Sequence, residues 1–423
     1  DAEKLFANAK ESIAYVRKEK KPAFHLVDTY RLNAHSKGDD DRDDKEIKNY
    51  EAKDFLVKFK KEDPIIYNKY LKEINAKVEA VVNSSIDSDE LSIEGYYLDN
   101  EHAKKEKNWT PVVEIKERQV SLINNFFDKI LNEDNKVIFI GEDVKSPYGG
   151  AFKVANKLSD KYPNQVFTTP ISEAAITGIG NGLALSGFKP FIEIMFGDFV
   201  TLAFDQIINH ASKIFHMYNK KVSAPIVIRT PMGGGRGYGP THSQSLDRFL
   251  IGIDNVKTIA INTLVNPEII YKKVYQEKHP VILIENKTDY GKYIGFNKLK
   301  NYSMVYSNDD YPVVKVSPIK SKPNLTIVTY GGITNEVLEC VETLFYEFDF
   351  ISEIIVLSKI SPIDISDIIE SVEITKKLVV VEEGCTIGGI SSEIISTVAE
   401  KTEFNIQFLK IGSLPVPIPA VKS

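Results

Sequence analysis

The sequence predicts an α/β protein: a doubly wound parallel sheet followed by a second, smaller α/β domain and preceded by a helical region. From residue 137 onward, short apolar segments alternate with helical stretches in the order VIFIG, VFTT, FIEIMF, IVIRT, VKTIA and VILIE. This alternation is typical of strands joined by crossover helices. A second series begins at residue 325 with LTIVTYG, EIIVL, LVVVEE and IQFLK. Functional residues are expected at the carboxyl ends of the strands, where such sheets bind ligands.

Length, charge and cysteine content indicate a large multidomain protein without a nucleic-acid or membrane partner. The 423 residues allow about three domains at roughly 150 residues each. The net charge is −6 and the basic residues are spread along the chain, which argues against a nucleic-acid partner. No apolar run is long enough to cross a bilayer, so no membrane partner is expected. Cys340 and Cys385 lack metal-ligand spacing and are typical of a reducing compartment, which predicts a cytoplasmic protein.

Shifts in composition divide the chain into consecutive parts. They are a helical region at 1–83, a polar linker at 84–110, the main domain at 111–290, a second linker at 291–322 and a C-terminal domain at 323–423. Within the helical region, residues 22–32 are expected to form a strand. An amphipathic helix is predicted from Phe55 to Val82, with an apolar stripe that packs in a core: Phe55, Phe59, Ile66, Tyr70, Ile74 and Val78.

A carboxylate stands among small and apolar residues at the strand-to-helix junction near residue 170. Pro170 blocks continuation of the strand, Ser172 is expected to cap the following helix, and Glu173 then lies in its first turn. One interpretation is an acid stabilised by the positive end of the helix dipole. The other is an acid that takes part in proton transfer.

Short motifs follow one another in a fixed order along the chain. They are GEDV (141–144), GGAFKV (149–154), TPISE (169–173), FGDF (196–199), AFDQ (203–206), PIVIRTPMGGGRGYGPTHSQS (225–245) and VVVEEG with a later GG (379–389). In this order they resemble the beta subunit of the decarboxylating component of thiamine diphosphate-dependent 2-oxo acid dehydrogenases. The resemblance implies a pyrimidine-binding domain followed by a transketolase-like C-terminal domain.

The same resemblance implies cofactors, partners and substrate. Thiamine diphosphate and Mg²⁺ are the expected cofactors, and a lipoyl-bearing dihydrolipoyl acyltransferase is the expected acceptor of the acyl group. A 2-oxo acid is the expected substrate, with branched-chain acids or a broad range favoured. The resemblance further implies that residues 1–83 are the end of an alpha-type region fused to the beta-type region, and self-association as a dimer of such fused chains is expected. The alternatives are a non-catalytic assembly fragment of that enzyme and a transketolase-like carbon-carbon transferase.

The resemblance also implies roles for individual residues of the main domain. Glu173 would share a proton with the pyrimidine nitrogen of the cofactor, while Phe199 would stack on the pyrimidine ring and Ile171 would contact it. For Phe199, a core phenylalanine is the alternative. His242, in THSQS, would assist acyl transfer to the lipoyl group.

Two other interpretations of the segment around His242 are disfavoured by its residues. A nucleotide phosphate loop is disfavoured because GGGRGYG lacks both the GxGxxG order and the lysine of a P-loop. A hydrolase built on Ser243 or Ser245 is disfavoured because side chains so close in sequence cannot form a triad with His242, and GxSxG is absent.

The N-terminal string TYRLNAHSKGDDDR has two interpretations. From composition alone it is a solvated acidic loop. It also resembles the phosphate loop near the end of the alpha subunit of the same enzymes, which implies that Arg31 and His35 contact the cofactor diphosphate; Ser36 would occupy a phosphorylation site. The GDG motif that precedes the family's magnesium ligands is absent, so we expect those ligands outside this chain and a chain that is inactive alone.

Overall fold

The structure, a computed structural model, describes residues 2–35, 40–89, 107–295 and 299–420. Ser36, which resembles a phosphorylated position in some members of that family, lies outside these residues, as does most of the linker predicted at 84–110. The chain forms two compact units, residues 1–100 and 101–423, and each is described by itself. None of the described helices combines the length and apolar character needed to cross a membrane.

The described part of the first unit is helical, as predicted. Its helices are α1 (Ala2–Glu19), α2 (Asp44–Glu51), α3 (Phe55–Glu62) and α4 (Pro64–Ile86). The expected single helix from Phe55 to Val82 is instead two helices. The break falls where Asp63 caps α4 through the backbone N–H of Ile66 at 3.0 Å and Pro64 has no N–H to continue α3.

Two further expectations for the first unit are wrong. Residues 22–32 form no strand, and no described segment of this unit lies beside them as a partner strand. The apolar stripe of α3 and α4 does not lie in a core, because these helices contain no buried residue and Tyr70, for example, is 51 % exposed. The origin of this region as an alpha-type segment stays a prediction.

The second unit contains the predicted parallel sheet. Among the described residues it has seven strands in the spatial order β14-β7-β8-β6-β5-β3-β4, and all neighbours except β14 and β7 run parallel. The strands are β3 (Val137–Gly141), β4 (Val166–Thr168), β5 (Lys189–Glu193), β6 (Val227–Met232), β7 (Lys257–Ala260), β8 (Val281–Asn286) and β14 (Lys359–Ser361). β14 comes from the C-terminal domain, so that domain completes the edge of this sheet.

A second sheet has the order β1-β10-β11-β13-β12-β15-β16. Its strands are β1 (Trp109–Pro111), β10 (Tyr302–Ser307), β11 (Val314–Pro318), β12 (Leu325–Tyr330), β13 (Ser352–Leu357), β15 (Lys377–Cys385) and β16 (Gln407–Ser413). The stretch predicted as a linker at 291–322 therefore contains β10 and β11. These strands form because alternate side chains such as Val314 and Val316 are fully buried. A two-stranded ribbon pairs β2 (Ile115–Arg118) with β9 (Tyr293–Ile294).

Helices cover both faces of the two sheets. They are α5 (Gln119–Glu133), α6 (Leu158–Lys161), α7 (Glu173–Leu185), α8 (Ser212–Met217), α9 (Pro267–Gln276), α10 (Thr334–Phe348), α11 (Ser366–Thr375) and α12 (Ile390–Glu400). In β3, Phe139 belongs to the hydrophobic cluster that includes α5 and α9, whereas Ile140 belongs to the cluster that includes α7. Both clusters extend into the second sheet, so the two domains share their cores.

A buried ionic cluster links three neighbouring strands of the first sheet, β5, β6 and β8. Arg229 of β6 is completely buried and pairs with Glu193 of β5 and with Glu285 of β8. Its Nε lies 3.0 Å from Oε1 of Glu285 and its Nη2 donates to the other oxygen, which is the forked geometry that suits a guanidinium. Tyr271 and Tyr290 donate their hydroxyls to Glu285. Burial raises the pKa of Glu193 to about 7 even though Arg229 opposes the shift.

Helix α7 packs closely on β5 through a glycine. A side chain at Gly180 would overlap that of Ile192, whereas a side chain at Gly182 would meet no atom within 4 Å. Both glycines lie in the same helix, and neither has a positive φ angle. The absence of a side chain at residue 180 thus lets α7 approach the sheet, and α7 carries Glu173 in its first turn.

We predict opposite effects for alanine at these two glycines. Gly180→Ala should lower the free energy of unfolding by about 1 to 3 kcal/mol, because the added methyl overpacks the contact with Ile192. Gly182→Ala should raise it by about 0.5 to 1 kcal/mol, because alanine is the better helix former in open space. Urea unfolding of both variants measures the difference. If both variants changed the free energy of unfolding by the same amount, the close packing of α7 on β5 at Gly180 would be contradicted.

Candidate active site

The first sheet has a topological switch point between β3 and β5. From β3 the chain passes to β4 on one side, and from β5 it passes to β6 on the other. The connections that follow β3 and β5 therefore diverge and leave a crevice at the carboxyl ends of the strands. Glu142 directly follows β3, and the segment from Phe196 to Phe199 follows β5, so both lie at this edge.

Glu173 begins α7 as the sequence predicts. The side chain of Ser172 caps the helix by accepting from the backbone N–H of Ala175 at 3.4 Å, and Glu173 is only 6 % exposed. A second buried carboxyl, Glu142, interacts with it. Burial and then the charge of Glu173 raise the pKa of Glu142, and its Oε1 has no hydrogen-bond partner among the described residues.

The other two residues predicted to contact the pyrimidine differ in their surroundings. Phe199 lies half-buried in a 3₁₀ helix, Gly197–Ala203, that packs against α7. Ile171 is 83 % exposed and directly precedes the capping residue Ser172. Their contact with a cofactor stays a prediction.

His242 is brought together with Phe199. Its imidazole meets two aromatic rings edge to face, that of Phe196 at 4.9 Å and that of Phe199 at 5.1 Å between ring centroids. Oγ1 of Thr241 lies 2.9 Å from Nδ1 of His242 and orients the ring. Nε2 is therefore the nitrogen available to exchange a proton with a ligand.

A glycine-rich loop, residues 233–244, carries His242. Buried polar groups hold it at its ends. Asp198 accepts from the backbone N–H of Gln244 at 3.1 Å and from its side-chain amide at 2.9 Å. Lys287 donates to the carbonyl of His242, and Glu383 of the C-terminal domain accepts from the backbone N–H of Gly234 at 2.9 Å.

Sequence reasoning did not identify Glu142, Asp198, Lys287 or Glu383 as parts of the site. Glu142 stands in GEDV directly after the buried strand β3, and Asp198 stands in FGDF within a few residues of the end of β5, so the signal is an acid close to the carboxyl end of a strand. Lys287 directly follows β8, which is a comparable signal. No local signal points to Glu383, because it reaches the loop from the other domain.

The two residues predicted to hold the diphosphate belong to the first unit. Arg31 and His35 are both exposed within it, and the carbonyl of Arg31 accepts from Nη1 of Arg42 at 2.6 Å. Arg42 also pairs with Asp40 at 2.5 Å and lowers the pKa of that carboxyl to about 2. The diphosphate role of Arg31 and His35 stays a prediction.

The buried groups of the second unit fit one half of the expected cofactor. A buried carboxyl at a helix start, a second carboxyl with an unpartnered oxygen and two aromatic rings suit a flat ring with hydrogen-bonding nitrogens. Glu173 and Glu142 would meet its polar edge, and Phe199 one of its faces. In the described part of the chain, no group of three or more His, Cys, Asp or Glu residues is arranged to hold a metal ion.

Comparisons with known proteins agree with this fold. The family described as the transketolase pyrimidine-binding domain matches residues 119–292, and the transketolase C-terminal domain matches residues 315–422. A solved split-gene transketolase, described as an inactive beta4 tetramer, has a TM-score of 0.54 at 21 % identity and covers 70 % of this chain and 89 % of its own. That likeness concerns the fold alone.

Curated relatives share more of the sequence. The pyruvate dehydrogenase E1 component subunit beta of Gracilaria tenuistipitata var. liui is 32 % identical over 69 % of this chain and 88 % of its own. The mitochondrial subunit beta-1 of Arabidopsis thaliana is 33 % identical over 70 % of this chain and 81 % of its own. The beta subunit of an acetoin:2,6-dichlorophenolindophenol oxidoreductase from Cupriavidus necator is 32 % identical over 66 % and 82 %. The chain belongs to the family of beta subunits of thiamine diphosphate-dependent 2-oxo acid dehydrogenases.

Proposed function

We propose that this chain is the beta-type region of an enzyme that decarboxylates a 2-oxo acid and transfers the acyl group to the lipoyl group of a dihydrolipoyl acyltransferase. The observation that carries the proposal is one arrangement of side chains: His242 packs edge to face against two aromatic rings at the sheet edge where the buried Glu173 begins α7. Thiamine diphosphate, bound with Mg²⁺, would supply the carbon that attacks the carbonyl of the substrate.

Glu173 would act on the pyrimidine ring. Its carboxyl would hold the proton shared with the ring nitrogen opposite the amino group, which is general acid-base work by a positioned side chain. Glu142, whose pKa burial raises, keeps its proton to higher pH than an exposed glutamate does and can donate a hydrogen bond at the same edge. Phe199 would stack on the ring, and Ile171 would cover it from the turn before α7.

His242 would act on the second half of the reaction. An imidazole that packs against two rings and is carried by a loop can exchange protons with an acceptor that enters from solvent. The dithiolane of a lipoyl group needs a proton at one sulfur as its other sulfur receives the acyl group, and His242 would supply it. A transketolase-like carbon-carbon transferase would also need a proton donor, for the carbonyl oxygen of its acceptor, so we favour the dehydrogenase because this chain is similar to pyruvate dehydrogenase E1 beta subunits.

The remaining parts of the proposal concern partners and substrate. Arg31 and His35 would bind the diphosphate, and the magnesium ligands would come from an alpha-type region, as the resemblance to the family implies. The chain alone would then be inactive. The enzyme would associate as a dimer in the cytoplasm.

The aromatic rings of Phe152, Phe196 and Tyr238 adjoin one another beside His242 and would favour apolar 2-oxo acids, branched-chain ones included.

A panel of substrates tests the proposed reaction. The chain assembled with its alpha-type region should reduce an artificial electron acceptor with 2-oxo acids, with branched-chain acids as good as or better than pyruvate. The chain alone should show no turnover. Activity with a ketose donor and an aldose acceptor, without oxidation, would instead establish the transferase. Activity with acetoin but with none of the 2-oxo acids would contradict the proposed reaction and would point instead to the activity named for the acetoin oxidoreductase relative.

Replacement of Glu173 by glutamine tests its proton-sharing role. The amide preserves volume and hydrogen bonding but cannot pass a proton, so hydrogen-deuterium exchange at the thiazolium carbon of the bound cofactor should slow by about 10²- to 10⁴-fold. That loss corresponds to roughly 3 to 5 kcal/mol of barrier. Glu268→Gln is the matched control, because Glu268 also lies in a first helical turn, that of α9. An exchange rate that Glu173→Gln leaves unchanged would refute the assignment and leave only the helix-dipole role.

Replacement of His242 by alanine separates the two half-reactions. The overall lipoyl-dependent rate should fall by about 10²-fold or more, the scale for loss of a positioned acid or base. Decarboxylation followed with an artificial acceptor should fall much less. His279→Ala is the control, because His279 lies just before β8 at the opposite edge of the sheet. Equal losses in both assays would assign His242 to cofactor binding or structure instead.

A further inference from the structure

The ammonium group of Lys287 connects the two ends of the glycine-rich loop. Its Nζ donates to the carbonyl of Gly233 at 2.9 Å and to the carbonyl of His242 at 2.7 Å. Lys287 directly follows β8 and is completely buried, so its position is fixed by the sheet. One side chain therefore holds both the start of the loop and the backbone of the residue proposed to act on the lipoyl group.

The same ammonium also faces an aromatic ring that contacts His242. It lies 5.4 Å from the ring centroid of Phe196, within the range of a cation-π interaction. Phe196 in turn meets the imidazole of His242 edge to face. Lys287 thus contacts the backbone of His242 and one of the two rings that flank its side chain.

Burial of this charge is costly. The two acceptors of Lys287 are neutral carbonyls, and Asp198 and Glu383 attract it through their charges alone. Burial lowers its pKa from 10.5 to about 8. Because the folded pKa lies below the unfolded one, the folded chain binds fewer protons between these values, and the charged group destabilises the fold at neutral pH. A buried ammonium without a directly bonded carboxylate is thus a poor choice for stability alone.

Glu383 holds the first turn of the loop from the other domain. Its Oε1 accepts from the backbone N–H of Gly234 at 2.9 Å, and its Oε2 accepts from Nδ2 of Asn286 at 2.8 Å. Gly233 has a φ of +95°, and a side chain there would collide with both Asn286 and Glu383. The backbone of the loop can come this close to the carboxylate because residue 233 is a glycine.

The loop needs such anchors because of its composition. Gly235, Gly237 and Gly239 all have positive φ angles, and glycine loses more conformational freedom on ordering than any other residue. Between its anchored ends the loop is exposed at Arg236 and Tyr238. Without its anchors, His242 would be carried by a segment with many accessible conformations.

We propose that Lys287 and Glu383 are positioning residues that hold the glycine-rich loop so that His242 keeps its contacts with Phe196 and Phe199. The inference rests on the function proposed above for His242. Neither side chain takes a chemical role. Lys287 fixes the loop to the first sheet, and Glu383 fixes it to the C-terminal domain, so correct docking of the two domains becomes a condition for acyl transfer.

Limited trypsin digestion of the whole chain tests the anchors without any activity measurement. Arg236 is exposed near the middle of the loop and is a cleavage site whose rate reports loop order. Lys287→Met keeps the length of the side chain but removes its donors and charge, and cleavage after Arg236 should become at least several-fold faster. Lys257→Met is the control: it removes a partly buried lysine of β7 whose bonds, at 2.8 Å, go to Glu277 and not to the loop.

A second variant covers the case in which Lys287→Met fails to fold. Glu383→Ala removes the anchor from the other domain and should also accelerate cleavage at Arg236. In the enzyme assembled with its alpha-type region, both variants should lower the lipoyl-dependent rate by roughly 10- to 100-fold, the scale for a small misplacement of a catalytic group. The rate with an artificial acceptor should change much less, and Lys287→Arg should restore part of the loss.

The outcomes separate this inference from the proposed function. Unchanged cleavage at Arg236 in both variants overturns the positioning role. Faster cleavage together with a reduced lipoyl-dependent rate supports it. Faster cleavage with an unchanged lipoyl-dependent rate also supports the anchoring of the loop, but it overturns the role proposed for His242.

Discussion

The buried cluster around Arg229 is the interaction on which the site depends. One guanidinium and two carboxylates link β5, β6 and β8, and all three side chains are buried. The segment of Phe196, the glycine-rich loop and Lys287 each leave the sheet directly after one of these strands. Loss of one partner of such a cluster typically costs about 3 to 5 kcal/mol, because the other charges stay buried without compensation. The cluster therefore sets where the loops of the site begin.

Glu193 extends this cluster to the other side of the switch point. Its Oε1 accepts from the backbone N–H of Ala151 at 2.6 Å, and a side chain at Gly150 would collide with the carboxylate. The chain after β3 is thereby tied to the end of β5. On one side of the crevice between β3 and β5, the segment around Ala151 is fixed by its hydrogen bond to the buried Glu193. On the other side, α7 is fixed by its close packing on β5.

The C-terminal domain belongs to the site as well as to the fold. Glu383 holds the loop of His242, and Tyr330 donates its hydroxyl at 2.5 Å to Asp247, just beyond the loop. Burial raises the pKa of Asp247, and the bond from Tyr330 opposes that shift. Strand β14 completes the edge of the first sheet. These contacts connect the C-terminal domain both to the loop that carries His242 and to the first sheet.

The sequence by itself determined the elements that depend on local patterns. The six strands from β3 to β8, the cap at Ser172 and the place of Glu173 in the first turn follow from apolar periodicity and from residue types next to one another in the chain. The same local reasoning failed for residues 22–32 and for the apolar stripe of α3 and α4, because a strand or a core needs a partner that the pattern does not name.

Tertiary structure alone decided the contacts between segments distant in sequence. The rings around His242 come from a segment more than 40 residues away, Lys287 from β8 and Glu383 from the second domain. A lysine after a strand and a glutamate in VVVEEG look like ordinary surface charges in the sequence. Their role depends on which chain segments the two sheets bring together, and that is set by strand order and domain docking, which the local residue pattern does not encode.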